Sequence, residues 1–235
     1  MAAKAHSTAT LRLTVGDLRI VHPITVPSAP VPATEVVPAL QGVVNAVVAA
    51  AEAGLTKSGG TISCRKGCGA CCRQLVPISR TEGERLLAVI AAMPPERRET
   101  LHARFAAAET VIDGAGLSNR AGRSDRELSL AYFALAIPCP FLEDESCSIH
   151  PERPLVCREY LVTSPAQLCA GPAQEGVTPV AVPKISMAAR GLQDDGEGWF
   201  PLAGLMNWAR TRAKNGARRT GPEWIQRFLQ RIGAK

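Results

Sequence analysis

Apolar and polar positions alternate over residues 11–15 and again over residues 18–22, on either side of Gly16-Asp17. Period-two alternation interrupted by a two-residue turn predicts a β-hairpin. Residues 23–34 hold Pro23, Pro27, Pro30 and Pro32, which predicts an extended linker without ladder pairing, because proline has no N–H to donate. The period then becomes helical. A helix is expected over about residues 34–54, with Pro38 in its first turn and residues 43–53 almost wholly apolar and small, so that it is buried on more than one side. Thr81-Glu-Gly-Glu84 matches a capping box for a helix carrying Leu86, Leu87, Val89 and Ile90 to about Met93, where Pro94-Pro95 stops it. The next helix starts at Pro95 or Glu96 and passes through Leu101, Phe105 and Ala108 to about Asp113. After an exposed loop over residues 114–124, Ser124-Asp-Arg-Glu127 caps a short apolar helix over residues 128–137. Residues 138–183 show little periodicity and many prolines, and can build little core alone. Residues 201–214 and 222–232 read as amphipathic helices, with Leu202, Leu205, Met206 and Trp208 on the first and Trp224, Ile225, Phe228 and Leu229 on the second. The spacing of these aromatics is that of ordinary helix packing.

Composition narrows the picture. The chain has 235 residues, 46% of them hydrophobic, as in an ordinary folded protein. Aromatic residues are only 4%, so a core of Ala, Leu, Val and Ile is expected, with few platforms for stacking nucleobases. Residues 1–10 carry one lysine and no apolar run, and no segment is expected to reach the roughly 18 apolar residues of a membrane span. A cytoplasmic location without membrane contact follows as the expectation. The net charge of +6 is uneven: residues 210–235 hold eight Lys/Arg against Glu223 alone. That basic C-terminal tail could meet an acidic partner or nucleic acid, although such charge runs are usually a solvated face.

The chemistry lies in the cysteines. Cys64, Cys68, Cys71 and Cys72 fall within nine residues, and Cys139, Cys147, Cys157 and Cys169 follow downstream; there are no others. With none left for a core role, the two groups are expected to meet and hold metal. In a reducing compartment the thiols would persist, and the glycine-spaced cluster favours metal over the alternative, four disulfides. If Cys64 opens a helical turn, Cys64, Cys68, Cys71 and Cys72 stand at i, i+4, i+7 and i+8, with all four thiols on one face. Adjacent Cys71 and Cys72 should project apart and serve different ions, or different irons of a cluster. Thiolates select zinc or iron-sulfur clusters over hard ions. Eight of them make two sets of four, a number that suits two zinc ions or iron-sulfur chemistry. Arg65, Lys66, Arg73, Arg153 and Arg158 lie within four residues of a cysteine, where they would offset thiolate charge and could donate to sulfur. His150 also stands near the ligands, as a structural residue or a further donor.

The ordered series Cys64-x3-Cys68-x2-Cys71-Cys72, Pro138-Cys-Pro-Phe-Leu, Cys147-Ser-Ile-His150, Arg153-Pro154 and Cys157-Arg158 resembles the YkgJ-like cysteine-cluster family, with its CxxCxxCC-type zinc- or iron-chelating domain. The resemblance spans roughly residues 60–170 and implies metal binding. Relatives of that family include a flagellin lysine N-methylase, which implies an enzymatic alternative, an iron-sulfur-dependent activity of the protein lysine N-methyltransferase kind. The family pattern commonly has Tyr where this chain has His150, so no role for His150 is inherited. The cysteine spacing also equals that of radical S-adenosylmethionine enzymes, yet the strand-helix repeats of their barrel are missing. No phosphate loop, GxGxxG, GxSxG or HExxH occurs, which leaves the usual catalytic signatures without support. The sequence therefore predicts a mainly α fold with long irregular loops, a small N-terminal β-hairpin and a metal-stapled cysteine-cluster core. Its expected parts are residues 1–59 with hairpin, linker and helix, residues 60–174 as the metal-binding domain, and residues 175–235 as a helical extension with a basic tail. The expected function is a metal-binding protein with a structural or a redox or sensing role.

Overall fold

The computed structural model describes residues 5–118, 122–171, 176–193, 198–212 and 216–233. The fold is mainly helical, with an N-terminal hairpin and small two-stranded sheets. Strands β1 (His6–Val15) and β2 (Leu18–Pro27) pair antiparallel, with Leu13 opposite Ile20. Gly16 carries φ +57°, the positive value that a two-residue hairpin turn needs at its first position. One face buries Leu13, Val15, Ile20, Ile24 and Val26, while Thr8 and Thr25 share a hydrogen bond on the other. The linker expected from Pro23 onward is corrected: Pro23 lies opposite Thr10 and Pro27 opposite His6, inside the ladder. A two-stranded ribbon has two open edges, and proline is tolerated where its nitrogen would face one of them.

After β3 (Val31–Pro32) a single 3-10 turn leads into α1 (Val37–Lys57), with Pro38 in its first turn as expected. The helix buries one broad face, including Val43, Val44 and Val47 at 0% exposure, and exposes Asn45 and Glu52. The expectation that no segment reaches spanning length is also corrected, since residues 33–57 are long and apolar enough by length and composition alone. Here that length lies along β2 and the hairpin's buried face.

β4 (Pro77–Ser79) precedes α2 (Arg80–Ala91), whose capping box is formed by Ser79 and Glu82, two residues before the expected one. Thr81 is already inside the helix, so its hydroxyl is not the cap. Helices α3 (Pro95–Gly114) and α4 (Asp125–Ala134) follow near their expected bounds, α4 capped by Ser124 and Glu127 as expected. Residues 119–121 of the expected loop lie outside the described residues. Downstream come β5 (Leu142–Glu143), β6 (Ser146–Cys147) and the short α5 (Leu155–Glu159).

The helix expected over residues 201–214 is corrected to β7 (Trp199–Pro201), a 3-10 turn and α6 (Leu205–Thr211); residues 213–215 lie outside the described residues. Pairing with β4 claims Pro201, with Ile78 opposite Phe200. Glu109, buried on α3, accepts from Asn207 N at 2.6 Å and so serves the first turn of α6. β8 (Arg218–Arg219) pairs with β3, and α7 (Gly221–Arg231) buries Trp224 and Phe228. The basic C-terminal segment is thus built into the fold. Arg218 donates to Pro30 O, Arg227 to Leu192 O, and Arg219 lies over the Trp224 ring.

Two cores flank the cysteine region. One joins the hairpin, α1 and α7 with Leu155, Val180 and Val182. The other joins α2 and α3 with Phe141 and Ile149, and Cys139 and Cys147 pack against it. Segment 138–183 contributes single apolar residues to both, which is how a stretch without periodicity becomes anchored.

Candidate metal centre

The helical reading of residues 64–72 is corrected. The chain runs there in irregular turns, and only Ala70–Arg73 forms a 3-10 turn. Gly67 has φ +85°, a left-handed conformation that breaks an α-helix. Cys71 and Cys72 sit on the 3-10 turn.

The upstream loop is stitched to the downstream segments that carry Cys139, Cys147 and Cys169. Cys139 N donates to Cys72 O at 2.7 Å, and Ser63 N to Val162 O at 2.9 Å. Val162 N points at Cys64 Sγ from 3.4 Å. Gln74 Nε2 donates to Cys169 O at 3.0 Å, and the Tyr160 hydroxyl hydrogen-bonds the Cys169 thiol. Arg73 grips Glu145 through both guanidinium nitrogens, at 3.0 and 2.5 Å. Glu145 and Asp144 both have positive φ, 54° and 46°, as the tight turn between β5 and β6 demands. That turn sets Leu142 opposite Cys147 and lays its backbone on Gly69. A Cβ on Gly69 would come 2.5 Å from Leu142 Cδ1 and 2.7 Å from Glu145 O, so glycine is required there for close approach.

Cys157 is positioned from further away. It rides on α5, whose first N–H, from Leu155, donates 2.8 Å to Glu82 Oε1. The other oxygen of that buried carboxylate accepts from Ser79 N at 3.0 Å and Ser79 Oγ at 2.7 Å. One carboxylate thus joins the start of α2 to the start of α5. Burial lifts its pKa, and the Ser79 and Leu155 donors oppose that lift.

All eight cysteines are free thiols; Cys169 is buried and the rest are partly buried. No disulfide framework forms. Their electrostatic neighbourhoods overlap at Cys71, which lies within reach of Cys64, Cys139, Cys147, Cys157 and Cys169. The thiol of Cys71 is raised first by the hydrogen bond with Cys72 and then by burial. Burial is the main cause for the others that shift: Cys139 is pushed up to about 12, Cys157 goes well above the ordinary range, and Cys64, Cys147 and Cys169 rise too. Such thiols keep their protons at neutral pH until a cation replaces them.

The five nearby cations divide. Arg65 and Lys66 are exposed, and Arg73 is committed to Glu145. Arg158 is 5% exposed and is held by Arg153 O, Pro151 O and Asn45 Oδ1. Burial and then the neighbouring Arg153 drive its pKa down to about 10, against the opposing pull of Glu152, Cys157 and Glu82. Arg153 lies within electrostatic reach of Cys64, Cys71 and Cys147; its Nη1 meets His150 Nε2 at 3.0 Å, and its Nε is buried with no hydrogen-bond partner. A buried donor without an acceptor is rare, and a water or an ion is its usual missing partner. His150 is held by this arginine, and burial, Arg153, Arg158 and Lys66 all depress its pKa.

The donor types suit a thiophilic cation: eight free thiols on stitched segments, with Arg153 and Arg158 beside them and an orphaned N–H. Among the described residues no three Cys, His, Asp or Glu side chains converge to the spacing that a bound ion requires. The thiols are neighbours, not a finished cage.

The comparison with protein families agrees with this geometry. Residues 63–171 match the CxxCxxCC family model, described as a "putative zinc- or iron-chelating domain". No curated protein and no solved structure matches the chain. The matched segment contains all eight cysteines, with Arg153 and Arg158. Sequence reasoning passed over Glu82, Tyr160, Gln74 and Gly69. Of these only Glu82 had a signal, its position three residues after Ser79 ahead of an apolar run.

Proposed function

We propose that this protein holds zinc or an iron-sulfur cluster through its clustered cysteines, and that the metal acts as a structural staple between the loop at residues 64–73 and the segment at residues 138–171. The observation that supports this reading most is the stitching of those two stretches, with Cys139 N bonded to Cys72 O and Val162 N directed at Cys64 Sγ. Neither stretch has a regular core of its own, so a thiolate-bound ion would supply folding free energy on the order of 10 kcal/mol. Protons leave the thiols when a cation enters, so uptake should strengthen as pH rises. The location this reading favours is a reducing compartment such as the cytoplasm.

The test is elemental analysis of protein purified without oxygen. Zinc or iron in stoichiometric amount is expected, and only traces of both would end the proposal. Brown colour with visible charge-transfer absorption identifies iron-sulfur chemistry, since filled-shell zinc has none. A second, catalytic reading is favoured by one observation. A cavity of about 510 Å³ opens between α3 and the end of α4, with Val111, Leu135 and Ile137 as walls and Cys139 among its lining. Ala136 on that wall holds φ +51°, strain of a kind that gathers at functional sites. A small molecule entering there would reach the centre through Cys139, as an iron-sulfur enzyme would need.

A further inference from the structure

The hairpin of β1 and β2 is a sheet of two strands, and its two edges are unlike. We propose that the outer edge of β1 is where a second copy of the chain docks, β1 against β1 in antiparallel pairing about a two-fold axis at Thr10, to give a four-stranded sheet.

The ladder shows which backbone groups are free. Its register runs without a bulge from Val15 opposite Leu18 to His6 opposite Pro27, and one step further Ser28 N donates to Ala5 O at 2.9 Å. In an antiparallel pair bonded and unbonded residues alternate, so Ser7, Ala9, Leu11 and Leu13 turn their N–H and C=O groups to β2. Those of His6, Thr8, Thr10, Arg12 and Thr14 turn outward. All five residues are exposed, and among the described residues no strand pairs with this edge. The outer edge of β2 is blunted instead. Pro23 and Pro27, opposite Thr10 and His6, occupy its outward positions and have no N–H to donate, a common device for keeping an edge from pairing. β1 has no proline and keeps its full row of donors and acceptors.

The inner face is open in the same place. Ala9 is exposed and Leu11 half-buried, and with Ile225 and Leu229 of α7 they line a groove of about 360 Å³ whose walls carry no charged side chain. A strand added to β1 would cover it.

A second copy suits this edge better than a loose peptide. Centring on Thr10 sets each Thr8 opposite an Arg12 and each His6 opposite a Thr14, so no two cations face each other. It also brings each Leu11 beside an Ala9 at the groove. Because β2 already holds β1 extended, the arriving strand pays little of the ordering entropy that a free peptide pays in full. The ten residues of β1 span about 33 Å, and an edge about 10 Å deep then buries on the order of 330 Å² per copy. Even with the groove this stays below the roughly 800 Å² per partner of a stable complex. The pair is therefore weak and reversible, with a Kd on the order of 50 μM.

The test is sedimentation velocity of the full-length protein under reducing conditions from about 2 to 500 μM, with amide hydrogen exchange read at both ends of the range. Monomer at the low end and dimer at the high end are expected, with exchange slowed in the dimer at Thr8, Thr10 and Arg12. Thr10→Lys sets like charges at the axis from an exposed position and should raise Kd at least about fivefold, with the wild-type melting temperature kept. Thr10→Pro copies the prolines of β2 and should do the same; if it loosens the hairpin, Thr10→Lys and the wild-type exchange pattern still decide. A protein that is monomeric throughout overturns the proposal and leaves the edge to a strand of another protein. A dimer whose three amides exchange at the monomer rate, or one that Thr10→Lys leaves intact, also overturns it, because the copies then meet elsewhere.

Discussion

Glu82→Ala should be the most damaging single change away from the cysteines. Its carboxylate accepts from Leu155 N, Ser79 N and Ser79 Oγ, and it is 5% exposed beside a fully buried Leu155. The Ser79 hydroxyl also caps Glu82 N and can keep that partner in the variant. The two backbone N–H groups cannot, and each buried donor left alone costs about 1–3 kcal/mol. A total near 4 kcal/mol is a large part of the roughly 5–15 kcal/mol that holds a domain together. Glu82→Gln keeps the volume but turns one acceptor into a donor facing a donor, so about 2 kcal/mol is expected. Urea denaturation followed by circular dichroism measures both. Glu127→Ala is the control, because Glu127 forms the same box with Ser124 at the surface and holds no second element. Metal content should fall in Glu82→Ala as well, since α5 carries Cys157 and Arg158. A Glu82→Ala protein that melts like Glu127→Ala and keeps its metal would refute the idea that this carboxylate joins α2 to the site.

Gly69→Ala puts a methyl group against Leu142 and the Glu145 carbonyl; overpacking of this kind costs about 1–3 kcal/mol, and wild-type metal content and denaturation midpoint would show that the loop does not dock as described. Glu143 binds Arg97 at 2.5 Å and Arg104 at 2.6 Å, and Arg97 foremost holds its carboxyl below the ordinary range. Its contribution is therefore complete above the unfolded carboxylate pKa of about 4.3 and fades as pH falls through the lower folded value. Glu143→Gln should cost up to about 1 kcal/mol at neutral pH and nothing in strong acid; an equal cost at both would contradict the ion-pair assignment.

Much of the fold could be read from the sequence because its signals were local. Ser124 with Glu127, Pro95 at a helix start and the alternation around Gly16-Asp17 act within one turn of chain, and each element stands where those residues put it. The misreadings came where a distant partner decided. Pro23 and Pro27 stay in a strand because β1 lies beside them, and Pro201 leaves its helix because β4 recruits it. The cap at α2 was a contest between two overlapping boxes. Ser79 prevailed, and its partner Glu82 is the residue that Leu155 also needs.

The candidate site was legible as a set of residues and not as a shape. Ligand type and number point to a thiophilic metal whatever the backbone does, which is why the expectation named all eight cysteines and the basic residues among them without a structure. The helical placement of Cys64, Cys68, Cys71 and Cys72 failed because it treated the loop as an isolated segment. Gly67 turns the chain, Gly69 admits the β5–β6 turn, and Val162 and Cys139 pair with the loop's backbone groups in place of helical partners. Each of these contacts joins residues about 70–100 positions apart, and loop closure over such distances is paid in entropy before any contact repays it. Bonds to a shared ion are strong enough to offset that cost, whereas one hydrogen bond of about 1 kcal/mol is not. On the proposed reading, the irregular course of residues 138–171 is what a segment anchored by single apolar residues and completed by a metal should look like.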